Sequence, residues 1–181
     1  MQRISSFFLK VPHFLKICIM DDASANKKKL TPLAALRKAE SYCAYQERAQ
    51  QEVRDKLYEW GLHMTDVEGT ISTLIENNFL NEERFAKAYV LGKFRMKGWG
   101  KIKIVQHLKQ KRVSKPLIQI ALREIDLDDY EQKLQDIIEK KINKPISKLS
   151  YMERGKLIRF LMSKGYEQDL IYRKLGSSDE E

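Results

Sequence analysis

Two cysteines, four prolines and eight glycines are all that 181 residues hold of these types, and each scarcity excludes something. Cys18 and Cys43 form no CxxC pair and have no histidine at ligand spacing. That excludes a disulfide framework and a cysteine metal site, and suits a reducing, cytoplasmic compartment. So few turn-forming residues exclude an all-β chain. No uninterrupted apolar run approaches the roughly 18 residues that a membrane span requires. There is no P-loop Gly-Lys-Ser/Thr, no HExxH and no nucleophile elbow. His13, His63 and His107 are scattered, as solvated or packing histidines are. The acidic pairs Glu82/Glu83 and Asp128/Asp129 fall in helix first turns, where caps and dipoles account for them. No catalytic residue, no metal and no cofactor is therefore expected.

The most uneven shortage is of negative charge. From Arg84 to Arg123 there are twelve Lys or Arg and no Asp or Glu. The chain carries 34 basic and 25 acidic residues, a formal charge of +9. Outside that stretch 22 basic face 25 acidic residues, so all of the positive excess sits in one central block. Solvated helix faces usually interleave the two signs as i to i+4 pairs. A block without acids reads instead as an electrostatic footprint for a polyanion.

What fills the chain is helix-forming sequence rich in Ala, Leu, Lys, Glu, Gln and Arg. Before it, residues 1–30 read as a flexible lead-in. Lys10, Pro12, His13 and Lys16 interrupt its apolar runs, no signal-peptide pattern is present, and Met20 is an alternative start. Thr31-Pro32 opens a first helix as N-cap and first-turn proline, with Leu33, Leu36, Ala39 and Cys43 at helical period. A second runs from about Ala49 to Trp60, with Val53, Leu57 and Trp60 on one face and Gly61 stopping it. Thr65 to Glu68 reads as a capping box launching a third through Val67, Ile71, Leu74 and Ile75. Asn81 caps a fourth, where Phe85, Ala88, Tyr89, Gly92 and Met96 form one face and Val90, Leu91 and Phe94 another. Two apolar faces mean either a sandwiched helix or an exposed partner contact.

Gly98-Trp99-Gly100 breaks that helix. A fifth follows from Lys101 to Arg112 with Ile102, Val105 and Leu108 inward, and Ser114-Pro116 begins a sixth. A seventh spans about Leu127 to Ile142. Ser150 to Glu153 is a second capping box, opening an eighth helix that Gly165 stops, and a ninth spans about Gln168 to Leu175. An acidic tail, Ser177–Glu181, ends the chain.

Leu57-Tyr58-Glu59-Trp60-Gly61-Leu62, Leu108-Lys109-Gln110-Lys111-Arg112-Val113 and Leu161-Met162-Ser163-Lys164-Gly165-Tyr166 align at offsets of 51 and 53 residues. The fold class is thus all-α: three tandem three-helix, helix-turn-helix-like repeats over residues 31–79, 80–125 and 126–176. Stacking should bury what one unit leaves exposed.

Phe79-Leu80-Asn81-Glu82-Glu83-Arg84-Phe85-Ala86 resembles the "leucine, Asp or Asn, two residues, Arg-Phe-Ala" signature of the bacterial regulatory protein RecX family. Lys97-Gly98-Trp99-Gly100, followed by Lys101-Ile102-Lys103-Ile104 and Leu108, is similar to that family's glycine, aromatic, glycine, proline, basic turn and the helix after it. Glu52-Val53-Arg54-Asp55-Lys56-Leu57 resembles its first-repeat motif. The likeness covers residues 33–175. Two positions depart: Lys101 stands where the family has proline, and Ala49 where a capping serine belongs. Losing that cap costs about 1 kcal/mol, so the second helix is expected to fray at its start.

The resemblance implies a non-enzymatic modulator, usually an inhibitor, of the RecA recombinase that binds in the groove of the RecA–DNA filament and so regulates recombination and repair. It also implies a curved, elongated molecule. The partners expected are the filament and DNA, through non-specific phosphate contacts, with the chain itself monomeric and no membrane involved.

The residues expected to carry binding are Arg84, Lys87, Lys93, Arg95, Lys97, Trp99, Lys101, Lys103, His107, Lys109, Lys111 and Arg112, extended by Arg48 and Arg54. Lys103, His107 and Gln110 share one outward face of the fifth helix. Trp99 either packs at its turn or stacks on a base. Arg84 either binds or pairs with a carboxylate of the first repeat. Reversing Lys101 and Lys103 to Glu is expected to weaken inhibition with helicity unchanged. The alternative is a non-specific duplex-DNA-binding protein. Base-specific reading is disfavoured, because the third helix opens with carboxylates where readers place Arg, Asn or Gln.

Overall fold

The computed structural model describes residues 29–176. The alternative start at Met20, the lead-in before Lys29 and the acidic tail from Ser177 lie outside them. Among the described residues the chain is all helix and turn, with no strand. The first repeat holds α1 (Pro32–Tyr45), α2 (Gln50–Glu59) and α3 (Met64–Glu76); the second holds α4 (Glu82–Lys97), α5 (Lys101–Gln110) and α6 (Lys115–Leu122). The third holds α7 (Leu127–Lys141), α8 (Tyr151–Lys164) and α9 (Gln168–Leu175), with a 3-10 turn at Ile146–Lys148.

Most helix ends follow the caps in the sequence. Thr31 Oγ1 accepts from Ala34 N–H, and Asn81 Oδ1 from Arg84 N–H. Ser150 and Glu153 make the reciprocal capping box, the Glu153 carboxylate accepting from Ser150 N–H. The α3 start differs. His63 is its N-cap and Thr65 lies inside the helix, because buried Leu62 is pinned by its N–H to the Leu57 carbonyl and the helix begins at once. Ala49 does not leave α2 frayed either. Its N–H donates to Glu52 Oε2 at 3.0 Å, and its methyl is fully buried in the core of the second repeat.

The three aligned turns are one device used three times. Leu57, Leu108 and Leu161 are wholly buried. Each carbonyl accepts the N–H five residues on, from Leu62, Val113 and Tyr166, closing a Schellman-type helix end. Such an end needs one left-handed residue, and Gly61, Arg112 and Gly165 supply it at φ +87°, +59° and +89°.

Burial corrects several inward assignments. In α1 the inward stripe is Ala35, Ala39 and Cys43, while Leu33 is exposed. In α4 it is Ala86, Val90 and Phe94, with Phe85 and Tyr89 of the second face also packed on the core, while Ala88 and Met96 of that face are exposed to solvent. In α5 it is Ile104 and Leu108; Ile102 is exposed. In each case the buried residues recur at i, i+4, and the exposed apolar residues fall two positions off that stripe.

The first repeat closes its own core around Val53, Leu57, Val67 and Leu74. The second and third share one core, running from Phe85 through Leu108 and Leu134 to Ile171. At their junction α8 runs into the start of α5. Gly100 N–H donates to the Lys164 carbonyl at 2.9 Å and Ile102 N–H to the Gly165 carbonyl at 3.0 Å. Between them, Lys101 N–H donates to the Tyr130 hydroxyl at 2.9 Å, which itself donates to Glu167 at 2.7 Å. Burial, with Glu167 beside it, pushes the Tyr130 phenol well above its ordinary range, so it stays a donor. Three amides that a free helix would leave without partners are thereby satisfied from the third repeat. The negative end of α8 also meets the positive end of α5.

Candidate nucleic-acid interface

Fourteen residues carried the expectation of one outward basic surface, and the structure divides them. Arg84 is bound into the frame: Nε meets Glu47 Oε1 at 2.5 Å, Nη1 donates to Asn78 Oδ1 and Nη2 to the carbonyls of Asn78 and Phe79. It ties the α1–α2 loop to the end of α3, as the carboxylate-pairing alternative required. Lys87 sits between Glu83 and Glu124 at 3.0 and 3.1 Å. Lys111 pairs with Glu52 at 2.5 Å, joining the end of α5 to the first turn of α2. Arg54 holds Glu68 bidentately at 2.8 and 3.0 Å. Arg48 lies 3.9 Å over the Tyr42 ring, and its Nε is buried without a hydrogen-bond partner. A single uninterrupted basic face is thus corrected. Charge counted along the chain cannot show which carboxylates fold over from the first repeat and from the end of the second.

A second group gathers on Trp99. The half-buried indole lies 4.6 Å from the His107 ring, with the Lys93 and Lys103 ammoniums 5.3 and 4.9 Å from its centre. Lys93 also lies 5.0 Å from the Tyr89 ring. Tyr89, Lys93, Trp99 and His107 line a crevice of about 510 Å³ between the first two repeats. Glu47 and Glu52 line it too, but Arg84 and Lys111 engage them. Burial, then Lys103, Lys93 and Lys111, hold the His107 imidazole below its ordinary value, so it is neutral at physiological pH.

Lys101 and Lys103 serve the junction as well as the surface. The Lys101 ammonium lies 4.6 Å over Tyr130, and Lys103 Nζ donates to the Ser163 carbonyl at 3.0 Å. Reversing them would disturb the packing of the third repeat, so they do not isolate a binding role.

Lys109 and Arg112 are exposed at the end of α5, with no ion pair among the described residues. Arg95 and Lys97 are exposed at the end of α4. They share a cleft of about 320 Å³ with Lys133, Lys140, Lys141 and Lys164 of the third repeat. The sequence reading missed these four lysines, because eleven basic and nine acidic residues are mixed through residues 126–176. One signal was there: Lys133, Ile137, Lys140 and Lys141 fall at i, i+4, i+7 and i+8 of α7, one helical face. Among the described residues no cluster of His, Cys, Asp and Glu could hold a metal, and no helix is long and apolar enough to cross a membrane.

Family models describing the first, second and third three-helix domains of RecX match residues 35–74, 81–122 and 128–175. A regulatory protein RecX of Clostridium perfringens is 36% identical over 137 residues, 73% of this chain and 64% of that protein. The matched part thus spans slightly under two thirds of that relative. One from Vibrio parahaemolyticus is 31% identical over 155 residues, covering 86% of this chain and 98% of its own. The crystal structure of RecX from Lactobacillus salivarius superposes with a TM-score of 0.70 at 26% identity, covering 80% of this chain and 93% of that one.

Proposed function

The chain belongs to the RecX family, and we propose that it modulates the RecA recombinase as an inhibitor, binding in the groove of the RecA–DNA filament without chemistry of its own. One observation carries this reading. The second repeat keeps Lys93, Arg95, Lys97, Lys109 and Arg112 without a carboxylate partner among the described residues, and Lys93 lies beside the half-buried Trp99 indole. Unneutralised cations beside an aromatic ring suit a surface that meets both phosphate and protein. The first turn of α3 carries Asp66, whose charge repels phosphate, which leaves base-specific groove reading by that helix without support.

The test is strand exchange by the cognate recombinase with the full chain titrated in. Inhibition is expected, with no ATP hydrolysis by the protein alone. The double variant Lys93→Glu/Lys109→Glu should inhibit far less while its circular dichroism is unchanged. Strand exchange that proceeds untouched at saturating protein would overturn the reading. Equal affinity for bare duplex and for recombinase-coated DNA, in the same salt, would favour simple duplex binding instead.

A further inference from the structure

The C-terminal ends of α4, α7 and α8 converge on one cleft, and its charged lining is of one sign. Arg95 and Lys97 come from α4, Lys133, Lys140 and Lys141 from α7, and Lys164 from α8; no carboxylate lines it. Lysines at helix C-termini have an ordinary explanation, since they complement the helix dipole. That does not account for Lys133, which lies in the middle of α7. Nor does it account for the sorting of charge around that helix. None of the acids of α7 lines the cleft: Asp128 and Asp129 lie in its first turn, Glu131 meets Arg173 and Lys174, Asp136 accepts from Gln132, and Glu139 accepts from Gln135. The six cations have no ion pair among the described residues.

The floor is apolar and shaped by backbone. Gly98, Ile137 and Phe160 form it, and a Cβ on Gly98 would stand 2.9 Å from Ile137 Cδ1. The Lys141 and Lys164 ammoniums lie 4.8 and 5.6 Å from the Phe160 ring, which holds both heads at the rim. Met96, 82% exposed, stands on the α4 side. A shallow, open depression lined by charge of one sign raises the local concentration of anions at its surface.

We infer that this cleft is a binding site for the phosphodiester backbone of nucleic acid, built jointly by the second and third repeats. Six cations spread along a cleft of about 320 Å³ exceed what one phosphate ion can use. Five of the six are lysines, compact point charges that bind phosphate without fixing its orientation and so suit a run of successive phosphates. Phosphates lie against the rim and a sugar edge against Ile137 and Phe160. The site deepens the proposed function and rests on nucleic acid being present in the assembly on which the chain acts.

The experiment uses the full chain and a fluorescein-labelled oligonucleotide, single-stranded and duplex, with anisotropy followed across a potassium chloride series. Each phosphate neutralised contributes about 0.7 (single strand) to 0.9 (duplex) to the slope of log K against log salt. Lys133→Gln/Lys140→Gln/Lys141→Gln should therefore lower affinity at least tenfold at low salt and flatten the slope by about two to three. The control Lys148→Gln/Lys156→Gln removes exposed charge outside the cleft and should change little. An unchanged slope in the triple variant, or an equal loss in the control, overturns the inference. So does displacement of the oligonucleotide by inorganic phosphate beyond that caused by chloride at equal ionic strength, which would mark a site for a free ion. A triple variant that binds bare nucleic acid normally but no longer inhibits strand exchange would assign the cleft to the recombinase: the modulator reading would stand and this one fall. Wild type that binds as expected but leaves strand exchange untouched would do the reverse.

Discussion

Gly100 lies against Gly165 with no room for a side chain on either. A Cβ on Gly100 would stand 2.2 Å from the Gly165 carbonyl oxygen, and one on Gly165 would stand 2.3 Å from Lys103 Cβ. The obstacle at Gly100 is backbone, which cannot swing aside as a flexible side chain would. Gly100→Ala should therefore cost about 1–3 kcal/mol through overpacking, or several degrees in thermal midpoint. Gly92 in α4 makes the opposite case, since a Cβ there meets nothing within 4 Å. Gly92→Ala should gain up to about 1 kcal/mol from helix propensity. Thermal unfolding followed by circular dichroism separates the two; a Gly100→Ala chain that melts like wild type would mean the repeats do not meet through this contact.

Arg84 reaches Glu47 and two carbonyls at the end of α3, and the geometry of its fork rather than its charge makes that possible. The ion pair is partly exposed and by itself worth little. The hydrogen bonds to the helix end are lost when the fork is lost. Arg84→Lys should lower stability by about 1 kcal/mol although the charge is kept, and leave oligonucleotide affinity unchanged. Reduced affinity at unchanged stability would place Arg84 among the contact residues instead.

Lys144 and the Ser150 cap hold the Glu153 carboxyl far below its ordinary range, at about 2. A folded value below the unfolded one gives stability that is present above the unfolded value and is lost as pH falls through the folded one. The capping box should therefore weaken between about pH 4.5 and pH 2. Glu153→Gln removes the titrating group, so its thermal midpoint should fall less steeply than that of wild type across this window. Parallel curves for the two proteins would show that the box does not titrate.

Much of this fold was legible in the sequence, because repetition leaves a mark that survives divergence. Leu57, Leu108 and Leu161 recur at the same step before a left-handed turn, and all three are buried where that pattern places them. Caps with a side-chain signature, Thr31 and Ser150, were equally plain. The misses share a cause. Ile102 is apolar enough to be assigned inward, yet which side of a helix faces inward depends on its partner helix, and Ile104 took that place. Basic residues were countable along the chain. Their neutralisation by Glu47, Glu52 and Glu124 was not, because those carboxylates arrive from 37 to 59 residues away. The four lysines of the third repeat escaped for the complementary reason, being diluted by acids that fold onto other faces.

Arg112 occupies the left-handed position that glycine fills in the two equivalent turns, at φ +59° against +87° for Gly61 and +89° for Gly165. A side chain there costs about 1–2 kcal/mol of backbone strain, partly offset because glycine would enlarge the unfolded ensemble by about 0.4–1 kcal/mol. Arg112→Gly should therefore raise stability by about 0.5–1 kcal/mol, which is about 1–4 °C for a chain of this size. Arg112→Ala keeps the strain and should show no such gain, so the difference between the two variants isolates the backbone. Both lose an exposed cation at the end of α5, and both should bind oligonucleotide more weakly, with a salt slope smaller by up to about one. A glycine variant that melts higher and binds more weakly would identify Arg112 as a residue held in a strained conformation for its charge. If it melts lower than wild type, the strain is not there to be released; if its affinity is unchanged, the charge at this turn meets no phosphate.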